Sequence, residues 1–324
     1  MKKSGYLYAL SAVLIWSGFI LVSRLGGISE LSSYDVIAIR YASCTFLLLP
    51  VFLFSYLKKT KYYFNLFRPK FIIISLIGGL AYALCTFKGF QLTSASHAAI
   101  LLPGLLPLFI ILLSVVINRG KNQEQTDKLK WSGVSIITLG IGILFFQQIY
   151  QNSDFSVGHI YLIAGAFFWA LFSVLIKYWE ITPWQATVSL ALITSILYLP
   201  LYISLVPNNL LIIAFTDTVL FNKLFADILI QAFYQGVMAM IVQMFFYVKA
   251  IEIIGPSSMG SMMAIVPIVS GISALFIFNE VATAELIISF SLVSLGTWIV
   301  HSSLLKKIIH QKEREIPCLI SISK

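Results

Sequence analysis

The chain has 324 residues, of which 59% are hydrophobic and only 11% charged, with a mean hydropathy of +0.92. Soluble domains are about half apolar and about a quarter charged, so this balance excludes an ordinary water-soluble globule and points to an all-α polytopic membrane protein. The net charge of +9 fits basic loops on one side of a bilayer and gives no reason to invoke nucleic acid.

A helix needs about 20 mostly apolar residues to cross the hydrocarbon. Ten segments qualify: 6–24, 35–57, 71–91, 97–117, 130–149, 156–178, 183–206, 228–251, 257–279 and 284–304. The first is too long for a signal peptide and lacks a small-x-small cleavage site, so it reads as a transmembrane helix. Trp16 lies in its middle, on one face with Tyr8 and Ala12. It is a candidate wall of a solute path.

The second span carries Arg40 and the third carries Tyr82 and Lys88. Charges within spans are costly and face a cavity or a partner, unless, as the positions of both cations allow, they snorkel to the nearer surface. Asp35 is close enough in sequence to partner Arg40. Tyr82 shares a face with Thr86, whereas Lys88 lies about 120° round the helix from Tyr82. If Arg40 and Lys88 face inward, the outer half of the cavity is positive and favours solutes bearing a carboxylate.

The fourth span contains AILLPGLLPLFIILL (99–113). Pro103 and Pro107 each remove a helix hydrogen bond, and the freed carbonyls must find partners or line a wet cavity. With Gly104 between them, they predict a kink or hinge. The sixth span repeats the Trp at Trp169, in line with Tyr161 and Gly165. Residues 207–227 hold the apolar run NLLIIAF but also Asp217, Lys223 and Asp227, and are expected to form a loop with an interfacial piece. The eighth span presents Gln231, Gln235 and Gln243 on one broad face. Tyr234 and the deep Gln243 join the candidate path. Pro267 interrupts the ninth span as Pro107 interrupts the fourth.

The thirteen acidic residues all fall in loops, in the tail or near span ends. With no carboxylate near the midplane, His97 and His159 at span ends are the only candidates to titrate near neutral pH. Facilitated diffusion or exchange is the expected mode, or coupling through groups other than a buried carboxylate. Cys44, Cys85 and Cys318 lack the spacing of a metal site or disulfide framework. No metal and no cofactor is expected.

With the N-terminus in the cytoplasm, eighteen Lys and Arg side chains fall on the inner side and only Arg24 and Lys223 outside, the bias expected of cytoplasmic loops. The sequence also repeats itself. GYLYALSAVLIWSGFILVSR (5–24) lies without gaps over GHIYLIAGAFFWALFSVLIK (158–177), setting Trp16 on Trp169. Pro50 then falls on Pro200 and Pro107 on Pro267. The predicted organisation is two five-helix repeats, 1–149 and 155–304, followed by a cytoplasmic tail, 305–324. An odd number of spans per repeat inserts the second upside down, an arrangement found in many secondary transporters.

The Trp in the first helix of each repeat, Arg40, the prolines of spans four and nine and the segment FIFNEVAT (276–283) together resemble the drug/metabolite transporter superfamily, specifically its EamA-type members. The resemblance implies a multi-pass permease of the plasma membrane, here a bacterial inner membrane. It implies movement of small metabolites, often outward, through a cavity between the halves. Its partners would be a small-molecule solute and the lipid bilayer, and it implies no covalent chemistry. Glu280, in FIFNEVAT, is the residue it assigns to closure or packing. The first repeat departs from the pattern there, reading VINRGKNQEQ with no Glu at Asn118-Arg119-Gly120. A flippase for lipids or lipid-linked sugars on the same fold is the alternative. An enzyme is disfavoured, because HExxH, GxSxG, P-loop and His/Cys cluster patterns are all missing from the sequence.

Overall fold

The computed structural model describes residues 2–60, 62–117, 128–150, 156–206, 210–263 and 265–300. The Asn118-Arg119-Gly120 departure and the tail 305–324 lie outside the described residues. In hydrocarbon, backbone polar groups must be satisfied within the spanning segment, and each span accordingly is helical. In chain order they are α1 (Lys2–Ile28), α2 (Ser33–Leu57), α3 (Pro69–Leu92), α4 (Ala95–Ile117) and α5 (Lys128–Tyr150). The second set is α6 (Val157–Tyr178), α7 (Pro183–Leu205), α8 (Thr218–Ile254), α9 (Pro256–Ile277) and α10 (Ala284–Val300). Eight are long and apolar enough to cross a bilayer; α5 and α10 hold the shorter apolar stretches Trp131–Leu144 and Ala284–Val300. We call the end where α1 starts proximal and the end where it finishes distal.

Local chemistry sets the boundaries. Ser32 and Asp35 form a capping box at α2, and Thr182 and Gln185 form another at α7, where Pro183 occupies the first turn. Gly255 stops α8 at φ 82°, a left-handed backbone that glycine adopts without steric cost. Pro256 then starts α9.

One expectation is corrected. Residues 210–227 are helical rather than looped. A short helix, Leu210–Thr216, is followed at once by α8, because the Asp217 carboxylate accepts the N–H groups of Val219 and Leu220 and starts a new helix. At 37 residues, α8 is about 55 Å long, well beyond the hydrocarbon thickness. Its length therefore exceeds what one crossing needs, and in its first turns exposed Lys223 pairs with Glu30.

The packing repeats when the two halves are exchanged. α1 packs on α8 as α6 packs on α3, while α2 packs on α7 and α4 on α9. Equivalent residues also meet in person. The rings of Trp16 and Trp169 are 5.7 Å apart, and the hydroxyls of Thr45 and Ser195 are 2.5 Å apart. Helices α5 and α10 also approach backbone to backbone: a Cβ placed on Gly133 would lie 2.6 Å from the carbonyl oxygen of Gly296, and one on Gly296 would lie 2.5 Å from that of Gly133. Residues that touch their own counterparts lie on the twofold axis relating the halves.

The irregularities are mirrored too. Wide π-helical turns occupy Ser75–Ala81 of α3 and Ala232–Gln243 of α8. Such turns displace backbone groups from the regular ladder. In α3, hydroxyls from the neighbouring helices take up two carbonyls: Tyr41 donates to Gly79 O at 2.9 Å and Thr194 to Ser75 O at 3.3 Å. α4 breaks at Leu105, between Pro103 and Pro107, and the turn in α9 falls at Met263, just before Pro267. Pro267 has no N–H for Met263 O, which accepts instead from Val266 N at 3.0 Å. Phe46, Phe54, Ile203 and Phe276 are exposed, as a surface covered by lipid allows.

Candidate functional site

Arg40 sits two turns into α2, only 3% exposed. It does not snorkel. Its Nη1 donates to Gln235 Oε1 of α8 at 3.0 Å, and its Nη2 to Met240 Sδ at 3.5 Å. The guanidinium carbon lies 5.5 Å from the Phe19 ring centre and 5.9 Å from that of Phe87. Gln235 is held in turn by a bond from its Nε2 to Ser23 Oγ. Among the described residues no carboxylate lies within ion-pair distance of Arg40. Asp35 is not its partner, contrary to the sequence expectation. That carboxylate accepts from Ser32 N and Oγ and from the Tyr202 hydroxyl of α7, so its lone pairs are committed at the distal end of α2.

Beside this cation lies an aromatic cluster. The Trp169 ring is 4.5 Å from Tyr82, 5.3 Å from Tyr247 and 5.2 Å from Phe172, and Trp16 is 6.4 Å from Tyr247. Tyr82 lies within electrostatic reach of Arg40, which joins the two groups into one region. Tyr247 bonds Ser173 at 2.6 Å. Arg40 Nε, Thr86 Oγ1, Trp169 Nε1 and Gln243 Nε2 are buried without a partner in hydrogen-bond geometry. Trp169, Thr86 and Arg40 do interact with the hydroxyls of Tyr247, Tyr82 and Tyr41, so among the described residues these groups are loosely rather than ideally paired, where buried polar groups are nearly always paired.

The chain matches the EamA-like transporter family over residues 3–146 and again over residues 156–302. The protein belongs to the EamA-like transporter family. It is therefore a multi-pass membrane transporter of the drug/metabolite type. A solved structure described as a crystal structure of a protein is similar to it, with a TM-score of 0.61 at 16% identity, over 94% of this chain and 99% of that one. At that identity the likeness speaks for the fold alone. Among curated protein sequences nothing matches.

In this EamA-like transporter the remaining candidates take separate places. Lys88 is half-buried near the distal end, bonded to Gln91 Oε1 at 3.0 Å and 5.9 Å from the Tyr34 ring centre. Tyr234 reaches across to α1, its hydroxyl bonding Ile15 O at 3.0 Å over the bare backbone of Gly18. Tyr161 is exposed, apart from the cluster around Trp169. Pro103, Gly104, Pro107 and Pro267 are all buried along the broken helices.

Glu280 lies beyond the distal end of α9 and receives the first turn of α4. Its carboxylate accepts Ala95 N at 2.8 Å, Ser96 N at 3.0 Å and the Ser96 hydroxyl. The distal ends are laced further. Arg24 donates to Phe90 O at 2.9 Å, and Ser156 to Leu92 O at 2.7 Å. His97 and His159 meet at 3.0 Å. His159 Nδ1 faces the Ser156 carbonyl at 3.0 Å, so it carries the proton in the neutral ring. His159 Nε2 then accepts from His97 Nδ1–H, tying α4 to α6.

Sequence reasoning missed three contributors: Tyr247, Met240 and the Phe19–Phe87 pair. Tyr247 stands four residues after Gln243 and so shares its helical face, a spacing that could have included it. Nothing local marked the other two.

Proposed function

We propose that this transporter carries small metabolites, in particular amino acids or other carboxylate-bearing solutes, across the bacterial inner membrane by alternating access. The direction is outward and both termini lie in the cytoplasm, so the proximal end is the inner one. The repeats 1–149 and 155–304 act as the two moving bodies, with 305–324 as a cytoplasmic tail. Trp16, Arg40, Tyr82, Trp169 and Gln243 line the solute site, while Lys88 and Tyr234 stand at its margins. The reading rests chiefly on one observation: a buried cation with no counter-ion among the described residues, at the junction of two pseudo-symmetric halves. Such a group is costly in a bilayer unless its function repays it. Eighteen inner Lys and Arg against two outer support the orientation. The mode is facilitated diffusion or exchange.

The test is reconstitution of the purified chain in proteoliposomes, with counterflow of labelled metabolites and a parallel assay of fluorescent lipid translocation. Solute flux without lipid movement supports the proposal. Lipid movement alone would favour a flippase for lipids or lipid-linked sugars. The hinge role of the broken helices gives a second expectation. Exchanging Pro107 and Pro267 for Ala restores two backbone donors, each worth about 1 kcal/mol, to helices that must bend. Flux is expected to fall roughly fivefold per site. Unchanged rates would make the kinks static.

A further inference from the structure

Resting on the transporter reading, and narrowing its solutes from amino acids to the other carboxylate-bearing class, we propose that the Arg40 site takes a monoanion without a compensating ammonium, a simple monocarboxylate rather than a zwitterion. The guanidinium is always protonated and offers five N–H donors in a planar fork. One is used on Gln235 Oε1 and one on Met240 Sδ, the Tyr41 hydroxyl also interacts with the guanidinium, and among the described residues Nε has no partner in hydrogen-bond geometry. A thioether is a weak acceptor on a flexible stem, so Met240 is readily displaced from its arm of the fork. The rings of Phe19 and Phe87 cover the guanidinium. A carboxylate approaching the Nε–Nη2 edge would meet two parallel donors, the geometry in which Arg binds carboxylates best.

Charge decides the class. The core around Arg40 carries one positive charge, and among the described residues no carboxylate is within ion-pair distance of it. A monoanion brings that region to zero. A zwitterion adds as much positive charge as negative and leaves it charged, and a dianion reverses the sign. The neighbouring polar side chains, Gln235, Gln243, Thr86 and Ser173, are uncharged. The rings of Trp16, Tyr82, Trp169 and Tyr247 pack on one another in tilted and edge-on contacts, and among the described residues no carboxylate stands near Arg40 to pair with an ammonium. The body of the solute would meet Phe19, Phe87 and Met240, which suits an apolar chain.

The experiment uses the full chain in nanodiscs and a panel of monocarboxylates of graded length and branching. Each is paired with its amide, its amine and its α-amino acid, and chloride is a separate arm. Binding is read by calorimetry in the parent, Arg40→Gln and Arg40→Lys. The expected result is that at least one monocarboxylate binds tenfold or more tightly than all its paired analogues. That preference should vanish in Arg40→Gln and survive in weakened form in Arg40→Lys. Without ligand, Arg40→Gln should melt no lower than the parent, because it removes an uncompensated charge. A merely structural arginine would lower the melting point. If Arg40→Gln does not fold, the parent preference and Arg40→Lys decide. The proposal is overturned if no monocarboxylate binds, if an α-amino acid or amine binds as tightly, or if chloride alone occupies the site. Flux of every panel member is measured in proteoliposomes alongside. Movement of amino acids in preference to monocarboxylates would sink the monoanion assignment and leave the transporter reading standing. No flux of any solute, here or in the metabolite screen, would sink the transporter reading itself.

Discussion

Gly133→Leu is expected to abolish the folded protein, while Gly142→Leu, nine residues along the same helix, is tolerated. A Cβ at Gly133 would sit 2.6 Å from the Gly296 carbonyl oxygen and 3.0 Å from the Val300 backbone nitrogen, whereas one at Gly142 meets nothing within 4 Å. Two of the three nearest obstacles at Gly133 are backbone atoms of α10 and the third is the Val300 side chain at 2.7 Å, so a rotamer change relieves only the last. Close backbone approach through small residues is how membrane helices associate without a hydrophobic drive. Overpacking costs about 1–3 kcal/mol where neighbours can shift, and the leucine side chain adds further atoms where none can. The measurement is the monodisperse fraction and melting temperature in detergent. Parent-like behaviour of Gly133→Leu would mean that α5 and α10 do not approach as described.

Glu280→Ala should loosen the distal end without unfolding the chain. Helix α4 begins with N–H groups that have no partner in the helix itself. Glu280 accepts those of Ala95 and Ser96, and Ser94 Oγ takes that of His97. The carboxylate also faces the positive end of the helix dipole. Removing it leaves three donors without their acceptor, a loss of about 1–3 kcal/mol. That is roughly a ten- to hundredfold shift away from any state in which α9 and α4 are joined there. The part of α4 that Glu280 holds ends at the break at Leu105, so it is the piece set free. A cysteine introduced at Ser94 should react correspondingly faster with a membrane-impermeant thiol reagent. Glu280→Gln keeps an oxygen acceptor and should fall between. Equal labelling in all three would reduce Glu280 to a static cap.

Much of the architecture was readable because membrane spans obey a local rule. Twenty apolar residues make a helix wherever they occur, and the repeated Trp, Pro50/Pro200 and Pro107/Pro267 exposed the duplication. Prolines also marked both broken helices, since a missing N–H is a property of the residue itself. What stayed hidden was the choice of partner across long separations. Asp35 is five residues from Arg40, yet it bonds Tyr202 on α7, 167 positions away, because its own capping box turns it toward the distal end. Whether Arg40 snorkels or stays inside depended on Gln235 and two phenylalanines from other helices. The 207–227 segment misled because charges in an apolar context suggest a loop. Asp217 is in fact a helix start, and the charges that follow it lie on the first turns of α8.

The contacts on the axis have a consequence for how the chain can vary. The two halves face each other across the axis much as isologous subunits do, each presenting a corresponding patch to the other. Bulk added at one member of an axial couple cannot be absorbed by an unrelated neighbour, because the neighbour is that residue's own homologue. Such positions should drift only in step, one enlarging as the other shrinks, and divergence between the two copies should concentrate away from the line where they face themselves.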